Sequence, residues 1–190
     1  MTESKQAIRK RILAARAGLS GAERERAALL VTERILGHQW FYRCEDFLCF
    51  AGYGSEIATD ELLAEALRLG KRTYVPRVEQ AAAEPTMYFA RIFSMEELSA
   101  GYKGIPEPPA DAERYIYSRE RAEKTLMLMP GVAFDGGRNR IGYGCGFYDR
   151  YLAGKEALQL HTVAIGFRCQ LVEHIPAQEN DIKPYQVICC

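Results

Sequence analysis

The sequence has no long apolar stretch and no excess of charge of either sign. No segment approaches the roughly 20 apolar residues that a membrane-spanning helix needs, and the N-terminal segment lacks the apolar core of a secretory signal. Lys plus Arg and Asp plus Glu number 25 each, so the formal charge is zero. A chain with neither signal is expected to be cytoplasmic. Because no general electrostatic field favours a nucleic acid or a membrane as partner, any anion site is expected to be local.

Paired metal-ligand motifs are also absent. The six cysteines include no Cys-x-x-Cys pair, and without an export signal their expected state is the reduced thiol, so a zinc site is not predicted. Hydrophobic residues make up 48% of the chain and charged residues 26%, which suits one compact domain over residues 1–190 with a substantial core.

Helix signals alternate with short apolar runs along the chain. Ile8 and Ile12 have helical spacing within residues 4–17, and Ser20 with Glu23 forms a capping box for a second helix that ends near Gly37. A third helix is predicted from Thr59 to Gly70, and a short one after Ser94. The predicted strands cover residues 47–50, 72–75 (halted by Pro76), 87–92, 126–129, 162–165 and 186–189.

This alternation favours an α/β sandwich with a largely parallel sheet, although periodicity leaves the strand order open. The proline-rich segment at residues 104–113 is predicted to be an extended surface connection that can contribute to a cleft wall.

The most informative stretch is residues 130–152, PGVAFDGGRNRIGYGCGFYDRYL, which begins where an apolar strand stops. Gly142, Gly144 and Gly146 let the backbone approach a ligand and expose amide groups to phosphate oxygens. Arg140 adds charge before them, and Asp149 is a carboxylate of the kind that binds magnesium near phosphates. The stretch is neither a GxxxxGK[ST] loop nor a GxGxxG fingerprint, so a glycine-rich turn whose aromatics only pack stays open on these residues alone.

The segment RIGYGCGFYDRYL resembles the RLGYGGGYYDRFL signature of the 5-formyltetrahydrofolate cyclo-ligase family. Further blocks in the same order are similar to that family: KQAIR, SEIAT, GKRTYVPR, GIPEP, MPGVAFD and IPAQENDIKPYQVI. The resemblance implies a three-layer α/β/α sandwich and an enzyme that uses ATP and Mg²⁺ to convert 5-formyltetrahydrofolate into 5,10-methenyltetrahydrofolate, with release of ADP and phosphate. The resemblance also leads us to expect a small-molecule substrate, which can carry several glutamates, and a monomer or weak homodimer.

The resemblance also implies residue roles at matching positions. Arg140, Tyr143 and Asp149 are expected to be catalytic, and Asp149 and Asp181 to bind magnesium. The expected ATP-binding residues are Lys5, Arg9, Arg140, Gly142, Tyr143, Gly144, Cys145, Gly146, Phe147 and Tyr148. The expected folate-binding residues are Ala51, Glu56, Tyr143, Gly144, Cys145, Gly146 and Phe147. Phe147 replaces a frequent tyrosine and Cys145 a frequent glycine or lysine, so altered substrate affinity is expected.

Two other readings remain at this point. One is a different enzyme on a similar fold, such as a sugar-phosphate isomerase or a CoA transferase. Such an enzyme would need an acid and base pair or a nucleophilic glutamate in a glycine-bounded turn, and no segment of the sequence indicates either. The second is a non-catalytic folate- or nucleotide-binding relative. The presence of Lys5, Arg9, Arg140 and Asp149 together argues against it, because a pure folate binder would not need groups that bind phosphate. The basic excess expected of a nucleic-acid module is absent.

Overall fold

The structure is a computed structural model that describes residues 3–80, 84–178 and 180–190. Its helices are α1 (Lys5–Ala17), α2 (Gly21–Leu36), α3 (Gln39–Arg43), α4 (Asp60–Arg68), α5 (Arg119–Ala122), α6 (Phe147–Leu152) and α7 (Glu156–Gln159). Its strands are β1 (Asp46–Leu48), β2 (Arg72–Glu79), β3 (Thr86–Ile92), β4 (Ser99–Ala100), β5 (Pro106–Glu107), β6 (Thr125–Met129), β7 (Ala133–Asp135), β8 (Arg140–Ile141), β9 (Thr162–Gly166), β10 (Leu171–Val172) and β11 (Gln186–Cys189). Short 3₁₀ turns cover Met95–Glu97, Tyr102–Gly104 and Arg168–Gln170.

A six-stranded sheet in the order β11-β9-β6-β1-β2-β3 forms the centre of the molecule. Every neighbouring pair in it is parallel except β2 with the edge strand β3. The predicted largely parallel sheet is therefore confirmed. No helix of the described ranges combines the length and apolar character that crossing a membrane requires.

Both faces of this sheet are buried. Successive side chains of a strand point to opposite sides, so each strand contributes to both faces. In β6, Leu126 and Leu128 pack in one core cluster with residues of α2, α3 and α4, whereas Met127 and Met129 pack in another with residues of α5, α6 and α7. Helices thus cover the sheet on both sides, which confirms the predicted three-layer α/β/α sandwich.

A small second sheet, in the order β10-β7-β8, carries helix α1. Ile8 and Ile12 of α1 are 1% and 2% exposed, and they form a third core cluster with Val132, Ala133 and Ile141. The predicted apolar stripe of the first helix is therefore buried against the segment that leads into the glycine-rich loop.

Pro76 does not halt β2, which continues to Glu79. The carbonyl of Tyr74 accepts from the amide of Cys49, just beyond the end of β1, so the backbone groups of Tyr74 point toward β1. Because backbone groups alternate in direction along a strand, those of Pro76, two residues later, point to the same side. No strand of the described residues pairs with β2 on that side at Pro76, so the missing N–H interrupts no ladder bond. The predicted end of this strand was wrong for that reason.

Thr59 precedes α4 as predicted, but its side chain makes no cap hydrogen bond to the helix. Its hydroxyl instead donates to the carbonyl of Phe50 at 2.6 Å and accepts from the amide of Gly52 at 3.0 Å. Thr59 therefore holds the loop after β1 in place. The capping box of Ser20 and Glu23 is present as predicted.

Only part of the proline-rich segment is extended, because a turn and a bend occupy residues 110–112, and the chain here also pairs with other strands. β5 pairs with β4. Farther on, the amide of Tyr115 donates to the carbonyl of Phe89 at 2.8 Å, and the amide of Arg91 donates to the carbonyl of Glu113 at 2.8 Å. This segment thus runs along the outer edge of β3.

Asp46 at the start of β1 links this strand to β2 and to helix α5 through one carboxylate. Its side chain is 0% exposed, and it accepts two hydrogen bonds from Arg72 and two from Arg121, at 2.7–3.0 Å. Burial alone would raise the pKa of this carboxyl, but the hydrogen bonds from both guanidinium groups outweigh it and hold the pKa below its usual value.

We predict that Asp46→Asn lowers the free energy of unfolding by about 3 kcal/mol at pH 7, because it removes the buried charge with which Arg72 and Arg121 both pair. Since the folded-state pKa is the lower one, this stabilisation is complete above the unfolded-state pKa of about 3.9 and is lost as the pH falls through the folded value. Urea unfolding at a series of pH values should therefore show wild type and variant converging below about pH 4. Glu45→Gln, an exposed neighbour that also pairs with Arg72, is the control and should cost only a small fraction of that loss. A pH-independent difference would contradict the assignment.

Candidate active site

A cavity of about 390 Å³ lies where the carboxyl ends of β1 and β6 meet. Phe50 and Ala51 follow β1, and Pro130 follows β6, and all three line it. Adjacent parallel strands bring the loops after them together, which is the usual position of ligand sites in open α/β sheets. The site residues expected from the sequence that line this cavity are Ala51, Glu56, Arg140, Gly142, Tyr143, Cys145, Gly146, Phe147, Tyr148 and Asp149.

The glycine loop between β8 and α6 owes its shape to two positive φ angles, +105° at Gly144 and +62° at Gly146, where α6 begins. Residues with a Cβ rarely adopt such values, so glycine is required there. Arg150 of α6 stabilises the loop from outside by donating to the carbonyl of Cys145 at 2.6 Å and to that of Pro85 at 3.1 Å. The loop is thus held from the next helix while its inner side faces the cavity.

Arg140 and Asp149 form a partly buried ion pair beneath this loop. The Arg140 side chain is 5% exposed and donates to Asp149 Oδ1 at 3.0 Å and to the carbonyl of Pro130 at 3.3 Å, whereas its buried Nε has no hydrogen-bond partner among the described residues. Asp149 Oδ1 also accepts from the amide of Ile182 at 3.1 Å. An unsatisfied buried donor is costly, so the hydrogen bonds to Asp149 and Pro130 satisfy this guanidinium only in part.

Lys5, Arg9 and Asp181 lie beside the glycine loop and do not line the cavity itself. Arg9 Nε donates to the carbonyl of Gly142 at 2.9 Å, and a Cβ at Gly144 would lie 3.9 Å from the Arg9 guanidinium. Lys5 Nζ donates to Asp181 Oδ2 at 2.5 Å. Both cations of α1 therefore face this corner of the site, as their four-residue spacing predicts.

Each of the two expected magnesium ligands forms an ion pair: Asp149 pairs with Arg140, and Asp181 pairs with Lys5. Within the described ranges, no three His, Cys, Asp or Glu side chains are grouped so that they could hold a metal ion. Mg²⁺ is commonly bound by one or two carboxylates together with water and substrate phosphates. The residues present fit an ion that arrives with a polyphosphate better than one held by protein alone.

Glu56 is the acidic group on the opposite side of the cavity, in the loop after β1. Burial raises its pKa, which is partly offset by the hydrogen bond that it accepts from the Tyr53 amide, by the charge of Arg16 and by the Tyr143 hydroxyl. The carboxylate lines an otherwise largely apolar cavity, so it offers an acceptor to the N–H groups of a polar heterocycle.

Two further residues of the site were not predicted from the sequence. Arg16 is 2% exposed and contacts Tyr143, and Glu107 is 2% exposed in the cavity wall, where it accepts from the amide of Val78 at 3.1 Å and pairs with Arg77 at 3.4 Å. A signal for Arg16 was present, because it continues the buried i, i+4 stripe of Ile8 and Ile12, where an apolar residue is normal. Glu107 carries no comparable signal beyond its place in the segment predicted as a cleft wall.

The two departures from the family signature both line the cavity. The ring of Phe147 makes an edge contact with Tyr102 at 6.0 Å between centroids and lies under the Arg150 guanidinium at 5.4 Å. Phe147 thus contributes aromatic packing to the cavity wall. Cys145 is exposed at the loop tip.

Comparison with known proteins decides the family. The model of the 5-formyltetrahydrofolate cyclo-ligase family matches residues 1–189. The chain belongs to this family. A 5-formyltetrahydrofolate cyclo-ligase of Mus musculus is 27% identical over 99% of this chain and 94% of its own length, and that of Escherichia coli K12 is 33% identical over 70% and 71%.

Solved structures agree with the fold. A 5,10-methenyltetrahydrofolate synthetase of Aquifex aeolicus superposes with a TM-score of 0.76 at 28% identity, covering 95% of this chain and 86% of that one. One from Mycoplasma pneumoniae gives a TM-score of 0.73 at 19% identity. The chain is thus a 5-formyltetrahydrofolate cyclo-ligase by family membership, and the family is ATP-dependent.

Gly144→Ala tests whether the loop conformation matters for nucleotide binding. Gly154→Ala is the matched control, because Gly154 also has a positive φ of +72° but has nothing within 4 Å of its added Cβ. Both variants should lose stability by roughly 1–2 kcal/mol through left-handed strain. Only Gly144→Ala should raise the KM for ATP, by several-fold, because its backbone strain falls within the glycine loop, whereas that of Gly154→Ala falls between α6 and α7. Equal KM values in a methenyl-product assay would argue against a role of this loop in nucleotide binding.

Proposed function

We propose that this chain cyclises 5-formyltetrahydrofolate to 5,10-methenyltetrahydrofolate with conversion of ATP to ADP and phosphate, in the cavity at the ends of β1 and β6. The observation that carries the proposal is the division of this site into two parts. One part is a largely apolar cavity with Glu56 at one wall, and the other is the glycine loop with Arg9, Arg140 and Asp149 beside it. The first suits a folate ring system and the second a polyphosphate.

The proposed chemistry needs no nucleophile from the protein. ATP supplies a phosphoryl group that activates the formyl oxygen, N10 of the folate then attacks the formyl carbon, and phosphate leaves with that oxygen. The chain's task is to hold both substrates in line and to stabilise charge, which is how phosphoryl transfer is generally catalysed. Mg²⁺, when bound, neutralises the phosphate oxygens.

Residue roles follow from the geometry. Amides of the loop from Gly142 to Gly146, with Arg9 and Lys5, are proposed to bind the phosphates, while Asp149 and Asp181 accept the magnesium ion. Arg140 is proposed to contact the transferring phosphoryl group, since it lines the cavity and is oriented by Asp149. Tyr143 lies between the two parts of the site, and Ala51, Glu56 and Phe147 are proposed to contact the folate.

Three broader properties stay proposals. A family model that spans residues 1–189 supports a single domain. We propose a monomer or weak homodimer, as the resemblance to the family implies. A cytoplasmic location is proposed from the sequence, although a relative from Arabidopsis thaliana is named as mitochondrial.

The product assay tests the proposed reaction directly. With 5-formyltetrahydrofolate, ATP and Mg²⁺, we expect the methenyl product to form together with ADP and phosphate in equal amounts, and no product to form without nucleotide or after removal of metal by a chelator. Release of AMP and pyrophosphate would refute γ-phosphoryl activation. Binding of both ligands without turnover would instead favour a non-catalytic relative of the family.

Arg9→Ala is predicted to raise the KM for ATP by roughly ten-fold or more while changing the KM for the folate little, because a lost charge-assisted contact costs about 1.5–3 kcal/mol. Lys5→Ala should act in the same direction. Lys10→Ala is the matched control, since Lys10 lies on the same helix with its side chain exposed, and its kinetics should equal those of wild type. Equal effects of Arg9→Ala on both substrates would remove the α1 cations from the nucleotide site.

A further inference from the structure

Arg16 is a buried cation that joins three segments of the active site. Its Nε donates to Ser55 Oγ at 2.9 Å, its Nη1 to the carbonyl of Gly131 at 3.4 Å and its Nη2 to the hydroxyl of Tyr143. Ser55 lies in the loop after β1, Gly131 follows β6 and Tyr143 belongs to the glycine loop. The same guanidinium therefore joins three of the segments that meet at the cavity.

The hydrogen-bond inventory of this contact determines the direction of the Tyr143 hydroxyl. A guanidinium has donors and no acceptor, so the Tyr143 oxygen must accept from Arg16. The phenolic hydrogen therefore points away from Arg16, and Tyr143 lines the cavity beside Glu56, whose carboxylate is stabilised by this hydroxyl. The Arg16 guanidinium also lies 5.5 Å from the centre of the Tyr143 ring, which restricts the ring as well as its oxygen.

We propose that Arg16 is a positioning residue of the cyclo-ligase reaction, which acts through Tyr143 by holding its hydroxyl so that the O–H donates into the cavity. This inference rests on the function proposed above. It goes beyond that function because it assigns a role to a residue that lies outside the cavity and touches neither substrate. A donor that is already fixed loses little conformational entropy when the substrate binds, so its hydrogen bond contributes more to binding and positioning.

A purely structural role is the competing explanation, and Arg24 provides the comparison. Arg24 lies in the first turns of α2, and its guanidinium donates to the carbonyls of Arg16 and Leu19, at 2.7 and 3.1 Å. It thus stabilises the junction of α1 and α2 without contacting Tyr143 or the loop after β1. Removal of Arg24 reports what loss of a structural guanidinium alone does to the enzyme.

A double-mutant cycle separates the two explanations. We expect Arg16→Met and Tyr143→Phe each to lower kcat/KM for 5-formyltetrahydrofolate by about ten-fold or more, as loss of a charge-assisted hydrogen bond does. In the Tyr143→Phe background, Arg16→Met should add less than a two-fold loss, because the hydroxyl through which it acts is gone. Arg24→Met should lower the melting temperature and leave kcat/KM unchanged in both backgrounds. Losses from Arg16→Met and Tyr143→Phe that multiply fully would overturn the proposal, as would an Arg24→Met variant that loses as much activity as Arg16→Met.

The cycle also works if Arg16→Met does not fold. Arg16→Lys keeps the charge but can reach fewer acceptors, and Ser55→Ala removes only the partner of Nε, so either can replace it, with the same non-multiplicative loss expected beside Tyr143→Phe. If the wild-type chain shows no turnover, the proposed function fails by itself. The cycle is then measured as the Kd for 5-formyltetrahydrofolate by calorimetry, and independent effects of Arg16 and Tyr143 on that Kd would refute the positioning role.

Discussion

The burial of helix α1 against the small sheet is the contact on which the active site depends. Ile8 and Ile12 pack on Val132, Ala133 and Ile141, the residues that lead into and out of the turn before the glycine loop. Burial of each isoleucine contributes on the order of 1.5–3 kcal/mol, and it brings a helix that is basic on its other positions directly beside that loop. A helix docked less firmly would carry Arg9 and Arg16 away from the groups that they contact.

Local pairing explains how a chain of zero net charge offers a site for an anionic nucleotide. Lys5 is paired with Asp181 and Arg140 with Asp149, so two of the cations near the glycine loop have an acid beside them. Such pairs keep the side chains ordered before a ligand is present. A polyphosphate that arrives with Mg²⁺ can exchange partners with both members, cation to phosphate and carboxylate to metal, without placing an uncompensated charge in the site.

Local patterns in the sequence were sufficient for much of the fold and for the cavity-lining loop. The i, i+4 stripe of Ile8 and Ile12, the Ser20 capping box and the apolar run of β6 each correspond to an element of the structure. Pro76 was misjudged because a proline halts a strand only where a neighbour needs its N–H, and pairing partners are not visible in a single sequence. Arg16 and Glu107 were missed for a related reason: their importance comes from segments distant along the chain, such as Tyr143 and Val78, that only the folded structure brings to them.

The segment that forms the far wall of the cavity continues along β3, where Glu113 and Tyr115 pair with its backbone. β3 is the outermost strand of the sheet, and an uncovered outer strand is a template on which other chains can assemble. Two unrelated demands, enclosure of a small molecule and protection from self-association, therefore fall on one stretch of chain. A mutation that loosens it would be expected to appear first as a loss of soluble protein, and only in the remaining soluble fraction as weaker substrate binding.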